Sequence, residues 1–386
     1  MKVGLNAISF VPGKMGGMET YFRNLVSYLM RMDGKNRYTL FCDRRFAKEF
    51  PPKTASFSVE SVNYAKPSLK WFARGVLRNL CSLDILRAEF KGVALDVMHH
   101  PFTVLTPRGL PIPTVLTFWD MQQEFFPEFF APAELSKRKR TFRSSAEEAT
   151  RIIVSAEFTR ECLVHRYGID AGKIDVIYTG YASDYSLIEE SEGLARVRSR
   201  YGLERPFLYY PAATWPHKNH KNLLAALKIL KDEMGFDGDL VLTGVAMNAH
   251  CSLQSEVARL GLSDRVKMLG YLDYSELPYL YNLATMMVFP SFFEGFGIPL
   301  VEAMACGCPV ICSDATSLPE IVGGAGLLFD PASPRDIAEK VWLAWSDQEK
   351  RREMIRAGLK RARLFDWETT ASRTLQVYEK AAGGRP

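Results

Sequence analysis

Short apolar runs rich in β-branched and aromatic residues alternate along this chain with amphipathic stretches of helical period, and no other feature limits its fold as tightly. The predicted strands of the first half are Val3 to Ile8, Tyr38 to Cys42, Asp96 to His99, Thr114 to Phe118, Ile152 to Ser155 and Ile174 to Tyr178. After a charged stretch from Glu189 to Arg205 the pattern restarts with Phe207 to Tyr210, Leu240 to Thr243, Val266 to Leu269, Met286 to Phe289 and Val310 to Cys312. Between the strands, Tyr21, Phe22, Leu25, Val26 and Leu29 recur at the spacing that lines one helix face, as do Leu223, Leu224, Leu227 and Leu230. Alternation of this kind builds parallel sheets with helices on both faces. It predicts an α/β chain with two such domains in tandem, residues 1–200 and 201–365, followed by a helical segment over 366–386. Open parallel sheets take ligands at the carboxyl ends of their strands. The chemistry is therefore expected in loops that follow strands, and two facing domains would share a cleft.

The composition agrees with a folded, enzyme-sized chain. Of 386 residues, 47% are apolar and 24% charged, which excludes a disordered or fibrous protein and is ample for a core. No apolar run approaches the ~20 residues that cross a bilayer. The start lacks the apolar region of a signal peptide, so the expected location is cytoplasmic. Seven cysteines, odd in number and scattered, make no disulfide framework. Cys306, Cys308 and Cys312 match no zinc spacing and are expected to be buried thiols. The net charge of +5 is small but unevenly spread. Residues 1–100 carry 16 Lys/Arg against 8 Asp/Glu, residues 201–350 carry 11 against 18, and the last 36 carry 9 against 4. A basic front half points to an anionic partner there.

The most informative loop follows the predicted strand ending at Phe289: Pro290, Ser291, Phe292, Phe293, Glu294, Gly295, Phe296, Gly297, Ile298, then Pro299 to Gly307. Pro299 suits the first turn of a helix and Gly307 its end. Gly295 and Gly297 let the backbone approach a ligand and turn N–H groups toward it, with the positive end of the helix behind them. Glu294 and Glu302 can each accept a pair of hydroxyl hydrogen bonds. Amides that suit phosphate, between carboxylates that suit hydroxyls, describe a nucleotide-sugar site.

On these residues the sequence resembles the retaining glycosyltransferases of family 4, whose GT-B fold has two Rossmann-like parallel-sheet domains facing a central cleft. Glu294 and Glu302 meet the family's Glu-x7-Glu motif. The resemblance places Glu294 at the donor sugar, Glu302 at the ribose, and the amides of Gly295, Phe296, Gly297 and Ile298 near the sugar and diphosphate. It covers nearly the whole chain. Gly16 and Gly17 look like the family's loop against the diphosphate, and Lys218 occupies the position of the lysine that neutralises the leaving diphosphate. Gly244, Tyr271 and Leu272 match donor-binding positions, the last two near the nucleobase. The 366–386 helix is expected to cross back to the first domain.

Two positions depart from the family. Ala213 stands where an arginine is usual, so that either His217 shares the role of Lys218 or the leaving diphosphate is stabilised less. Trp119 stands in place of a histidine beside the donor sugar and acceptor, followed by the retained Asp120; an indole there could cover a sugar face and donate its N–H. His99 and His100 either compensate or are core residues.

The resemblance implies a hexosyltransferase, mannosyl transfer being one form, that uses GDP-mannose or a UDP-hexose without metal or cofactor. The acceptor would be a glycan or glycolipid of surface polysaccharide or glycolipid synthesis. A catalytically weakened binding or scaffold protein and a nucleotide-sugar epimerase are the alternatives. The run from Lys66 to Arg78 mixes cations with Trp71 and Phe72, and reads either as an interfacial helix at the inner face of an anionic membrane or as a solvated basic face. Lys137 to Arg140 with Arg143 reads as a solvated face.

Overall fold

The computed structural model describes residues 1–50, 54–62, 74, 84–90, 92–189 and 192–383. The chain divides into two units, one of residues 1–180 with the segment from 366 onward, the other of residues 181–365. In the first unit a seven-stranded sheet runs β3-β2-β1-β4-β5-β6-β7. Its strands are β1 (Lys2–Ala7), β2 (Arg37–Asp43), β3 (Phe57–Val62), β4 (Val97–His100), β5 (Thr114–Phe118), β6 (Arg151–Val154) and β7 (Ile174–Val176). The second unit holds a six-stranded sheet in the order β10-β9-β8-β11-β12-β13. There the strands are β8 (Phe207–Pro211), β9 (Asp239–Thr243), β10 (Val266–Gly270), β11 (Met286–Phe289), β12 (Val310–Ser313) and β13 (Gly326–Phe329). Neighbouring strands are parallel throughout.

Both sheets start in the middle and grow outward in two directions. Right-handed crossovers running opposite ways put their helices on opposite faces, so a crevice opens where the order reverses. These points are β1/β4 in the first unit and β8/β11 in the second. The strands β5, β9, β11 and β12 bury every residue, which is why they read as mostly apolar, β-branched-rich runs. The edge strands β3 and β13 were not legible in that way. Glu60 and Ser61 break the alternation in β3, and β13 follows a glycine cluster and is only partly buried.

In the first unit the helix Gly17–Met32 buries Tyr21, Phe22, Leu25, Val26 and Leu29 against Val3, Leu5 and Ala7 of β1. The C-terminal helix Trp367–Gly383 joins the same core through Trp367, Ala371, Val377, Tyr378 and Ala381. A Cβ on Gly180 would lie 2.5 Å from the Trp367 backbone nitrogen, so glycine lets the two segments pass. Tyr378 Oη is 2.7 Å from His99 Nδ1, and His99 Nε2 is 2.7 Å from Thr117 Oγ1. Thr370 Oγ1 donates to the Tyr178 carbonyl at 2.8 Å.

The expected boundary at 200/201 shifts to 180/181. The helix Glu192–Arg200 packs on the helix Leu277–Leu283 of the second unit. Asn282 accepts from the Ile188 N–H at 2.7 Å and donates to the Ser186 carbonyl at 3.0 Å, which ties the preceding strand-free segment to the same unit.

The run from Lys66 to Arg78 lies outside the described residues apart from Arg74, which is buried and holds both carboxylate oxygens of Asp84 at 2.6 Å. On the helix Pro132–Glu148, Arg138 pairs with Glu134, Arg143 with Glu147 and Lys139 with Glu124. That basic run is thus partly neutralised at short range. Among the described residues no helix is long and apolar enough to cross a membrane.

Burial pushes the imidazoles of His99 and His100 from 6.5 down to about 3, the neighbouring His100 adding to the shift at His99. The folded unit keeps both neutral, whereas the unfolded chain protonates them below about 6.5. Their contribution to stability is complete above that pH and is lost as pH falls toward 3. Urea unfolding followed from about pH 7 to about pH 4 should therefore show stability falling with pH, more steeply than in a His99→Gln, His100→Gln variant that still folds. Equal slopes would contradict the assignment.

Candidate functional site

The loop Pro290–Gly297 leaves β11 at the reversal point of the second sheet and is clamped from both sides. On the β8 side, Asn219 Nδ2 donates to the Pro290 carbonyl at 2.9 Å and the Phe292 N–H donates to the His217 carbonyl at 2.8 Å. Toward β12, the Glu294 N–H donates to Thr316 Oγ1 at 3.2 Å, and Ser317 Oγ reaches the carbonyls of Glu294 and Phe296 at 3.1 Å each. Thr316 holds φ 57, an uncommon conformation for a β-branched residue. Gly297 has φ 101, and a Cβ there would meet Leu318 Cδ2 at 2.9 Å. The helix Ile298–Ala305 follows, with Pro299 in its first turn as the sequence predicted.

Lys218 comes from the loop after β8. It closes the turn Pro216–Lys218, after which Asn219 takes a left-handed conformation, φ 58. Tyr210 Oη donates to the Lys218 carbonyl at 2.8 Å, which fixes where the side chain starts. Its Nζ lies 2.6 Å from Glu294 Oε1, with the two side chains only 18% and 14% exposed. The structure thus brings together the expected phosphate-binding cation and the expected sugar-binding carboxylate, and pairs them with each other. His217 is pushed down to about 4, by burial first and by Lys218 second. At neutral pH it is a neutral imidazole that can donate one N–H, and it adds no positive charge in place of the missing arginine.

Glu302 does not merely decorate a helix dipole. It is 9% exposed and accepts from Tyr281 Oη at 3.0 Å, inside a group of tyrosines in which Tyr281 packs edge-on against Tyr209 and Tyr185. Burial raises its carboxyl to about 7, against the opposing pull of the tyrosine hydroxyls. Gly244 has φ 132, and a Cβ would lie 2.6 Å from Ala212 carbonyl atoms. The loop after β9 is bonded to the loop after β8 through Thr214, whose N–H donates to the Val245 carbonyl and whose Oγ1 accepts from the Met247 N–H. Tyr271, 63% exposed, stands at the carboxyl end of β10 edge-on to Tyr274, with Leu272 half-buried beside it.

In the first unit, Gly16, φ 53, precedes the helix that begins at Gly17. The loop before it is closed by Glu19, which accepts from the Gly13 N–H at 2.7 Å and from Arg23 Nε at 3.0 Å. Asp120 accepts from the Gln122 N–H at 3.2 Å and shapes the turn after β5. The expectation for Trp119 needs correction. Its indole N–H donates to the Pro101 carbonyl at 2.8 Å and its ring meets Tyr21 edge-on at 4.7 Å, so this side chain belongs to the core of the unit. The bonds of His99 to Tyr378 and Thr117 likewise make it a core residue.

Asn219, Tyr281, Thr316 and Ser317 hold the site, and the sequence assigns none of them a role. Nothing in one sequence links Tyr281 to Glu302. The only local signal for the other three was Asn, Thr and Ser in loops directly after strands. Among the described residues no cluster of His, Cys, Asp and Glu could hold a metal ion.

Comparison with known proteins extends this picture. Residues 15–185 match the family described as Glycosyltransferase Family 4, and residues 195–361 match Glycosyl transferases group 1. The chain is 32% identical over 285 residues to O-antigen chain mannosyltransferase B of Escherichia coli, covering 74% of each protein. It is 27% identical over 303 residues to the MMP alpha-(1->4)-mannosyltransferase of Mycolicibacterium hassiacum, covering 78% of this chain and 67% of the relative. Among solved structures, sucrose-phosphate synthase of Thermosynechococcus elongatus superposes with a TM-score of 0.79 at 21% identity over 100% of both chains.

The geometry at Gly244 gives a test of the scaffold. Gly244→Ala should destabilise the second unit by about 1–3 kcal/mol in urea unfolding. Gly235→Ala shares a positive φ, 72, but has nothing within 4 Å of the new methyl, and should cost less. Equal costs would show that backbone crowding at Gly244 is not what matters.

Proposed function

The chain belongs to glycosyltransferase family 4, with the GT-B fold, and from that premise we propose that it is a retaining hexosyltransferase, mannosyl in the first instance, for surface polysaccharide or glycolipid synthesis. It would move the sugar from a nucleotide donor to a hydroxyl of a glycan or glycolipid. The observation that carries this reading is the pairing of Lys218 with Glu294 across the loops that follow β8 and β11, at the reversal of the second sheet, with Glu302 on the helix that the second loop leads into. The names of the relatives, O-antigen and MMP mannosyltransferases, favour mannose as the sugar and GDP-mannose as the first donor to try, with UDP-hexoses second.

In this reading the second unit holds the donor. Glu302, kept in place by Tyr281, accepts the ribose hydroxyls. Glu294 accepts hydroxyls of the sugar. The backbone of Gly295 to Ile298, at the positive end of a helix, faces the diphosphate. Lys218 stabilises the charge that builds on the departing phosphate oxygen as the glycosidic bond breaks, and neutral His217 can add one hydrogen bond. Retention by front-face substitution lets the same phosphate oxygen take the acceptor's proton. No basic side chain and no metal is then needed at the attacking hydroxyl; the protein supplies orientation and charge stabilisation. The first unit takes the acceptor, and Asp120, in the turn after β5, is its candidate polar contact.

The missing arginine and the inward-facing Trp119 also fit a protein that binds the donor without turning it over. Transfer from GDP-mannose, or from UDP-hexoses, to glycan and lipid-linked acceptors separates the two. Wild type should release nucleoside diphosphate in step with sugar transfer. Lys218→Ala should lower kcat by about 10²–10³-fold, the scale of losing one transition-state charge partner, while Glu302→Ala should mainly raise KM for the donor. Donor binding without turnover would select the binding-protein reading, and wild-type kinetics in either variant would remove that residue from the site.

A further inference from the structure

Lys218 and Glu294 face opposite demands. The function proposed above, on which this inference rests, gives the lysine a diphosphate and the glutamate a set of sugar hydroxyls, yet the structure joins them at 2.6 Å. Their pairing is not the chance meeting of two surface chains. Both are largely withdrawn from solvent, and each is attached to backbone that other groups fix. Tyr210 Oη and Asn219 hold the Lys218 side, and Thr316 with Ser317 holds the Glu294 side. The adjacent imidazole of His217, kept neutral by burial, gives Glu294 no second cation.

A diphosphate oxygen that takes Lys218 must therefore displace a carboxylate. It leaves that carboxylate poorly hydrated, without its cation and beside an added anion, a combination that is unfavourable in a partly buried site. A nucleotide sugar supplies the remedy, because its hydroxyls donate to Glu294. A free nucleoside diphosphate does not. We propose that the Lys218–Glu294 pair makes this site prefer a nucleoside diphosphate that carries a sugar over the bare nucleoside diphosphate. After transfer the sugar leaves with the acceptor, Glu294 loses its donors and reclaims Lys218, and the spent nucleotide is released. Glu294 is thus a selectivity residue as well as a sugar contact. It works by the unpaired charge that it imposes on the wrong ligand.

Calorimetric titration of the whole protein with GDP, UDP, GDP-mannose and UDP-glucose tests this, in wild type and in Glu294→Gln, which keeps the shape of the side chain and removes its charge. Glu294→Ala serves if the glutamine variant does not fold. For the nucleotide that the protein uses, the variant should bind the free diphosphate about tenfold tighter than wild type, while the matching nucleotide sugar gains nothing. The ratio of the two dissociation constants would then collapse, and inhibition of transfer by the free diphosphate would deepen correspondingly. A simple sugar contact would instead leave binding of the free diphosphate unchanged. Unchanged or weaker binding of GDP and UDP by the variant, with wild type binding the nucleotide sugar, would overturn the selectivity role and leave the donor site standing. Failure of wild type to bind any of the four would overturn the donor site and this inference together.

Discussion

A strongly held loop at the carboxyl end of β11 is the constraint on which the rest of the site depends. Its backbone is bonded to the β8 loop on one side and to the β12 loop on the other, and the ion pair of Lys218 with Glu294 joins it to the first of those neighbours. Such a loop gains function from not moving. Charge stabilisation is worth most when the charged and polar groups are already in position, because no reorganisation is then needed as the reaction proceeds. The left-handed Asn219 and Thr316 and the crowded Gly297 fit this view, since conformations of that kind persist only where neighbours over-determine them.

The sheet order explains why the loop lies where it does. Growth outward from β8 opens a crevice between β8 and β11, and the two loops that supply Lys218 and Glu294 are the ones that follow those strands. The first unit repeats the plan at β1 and β4, with Gly16 and Gly17 after β1. Its polar interior has another use. His99, Thr117, Tyr378 and Tyr21 satisfy one another beneath the sheet, and through Tyr378 they anchor the C-terminal helix. His99 is thereby a structural residue of this unit.

Much of this was readable from residue order, and the failures have physical causes. Central strands were legible because burial on both faces demands mostly apolar runs. The edge strands β3 and β13 were not, because half-exposure permits Glu60 and Ser61 in one and a glycine-led tetrapeptide in the other. Glu294 and Glu302 stand out in the sequence because they flank a loop marked by glycines and a proline, and Lys218 because of the family resemblance. Tyr281, which meets Glu302 from another helix, left no local trace. Trp119 was misread for the same reason: the sequence shows an indole at a site position but not the Pro101 carbonyl and Tyr21 ring that hold it inward. The 200/201 boundary erred because a charged, amphipathic helix resembles a linker until its packing partner is known.

Where the donor is held decides the function, and a crystal structure of the protein with GDP-mannose, or with the UDP-hexose that it turns over, tests that most directly. It should show the diphosphate against Lys218 and the amides of Gly295 to Ile298, the ribose on Glu302, the sugar on Glu294, and the Lys218–Glu294 pair opened. A nucleotide bound elsewhere, or bound at this loop with the pair intact, would contradict it.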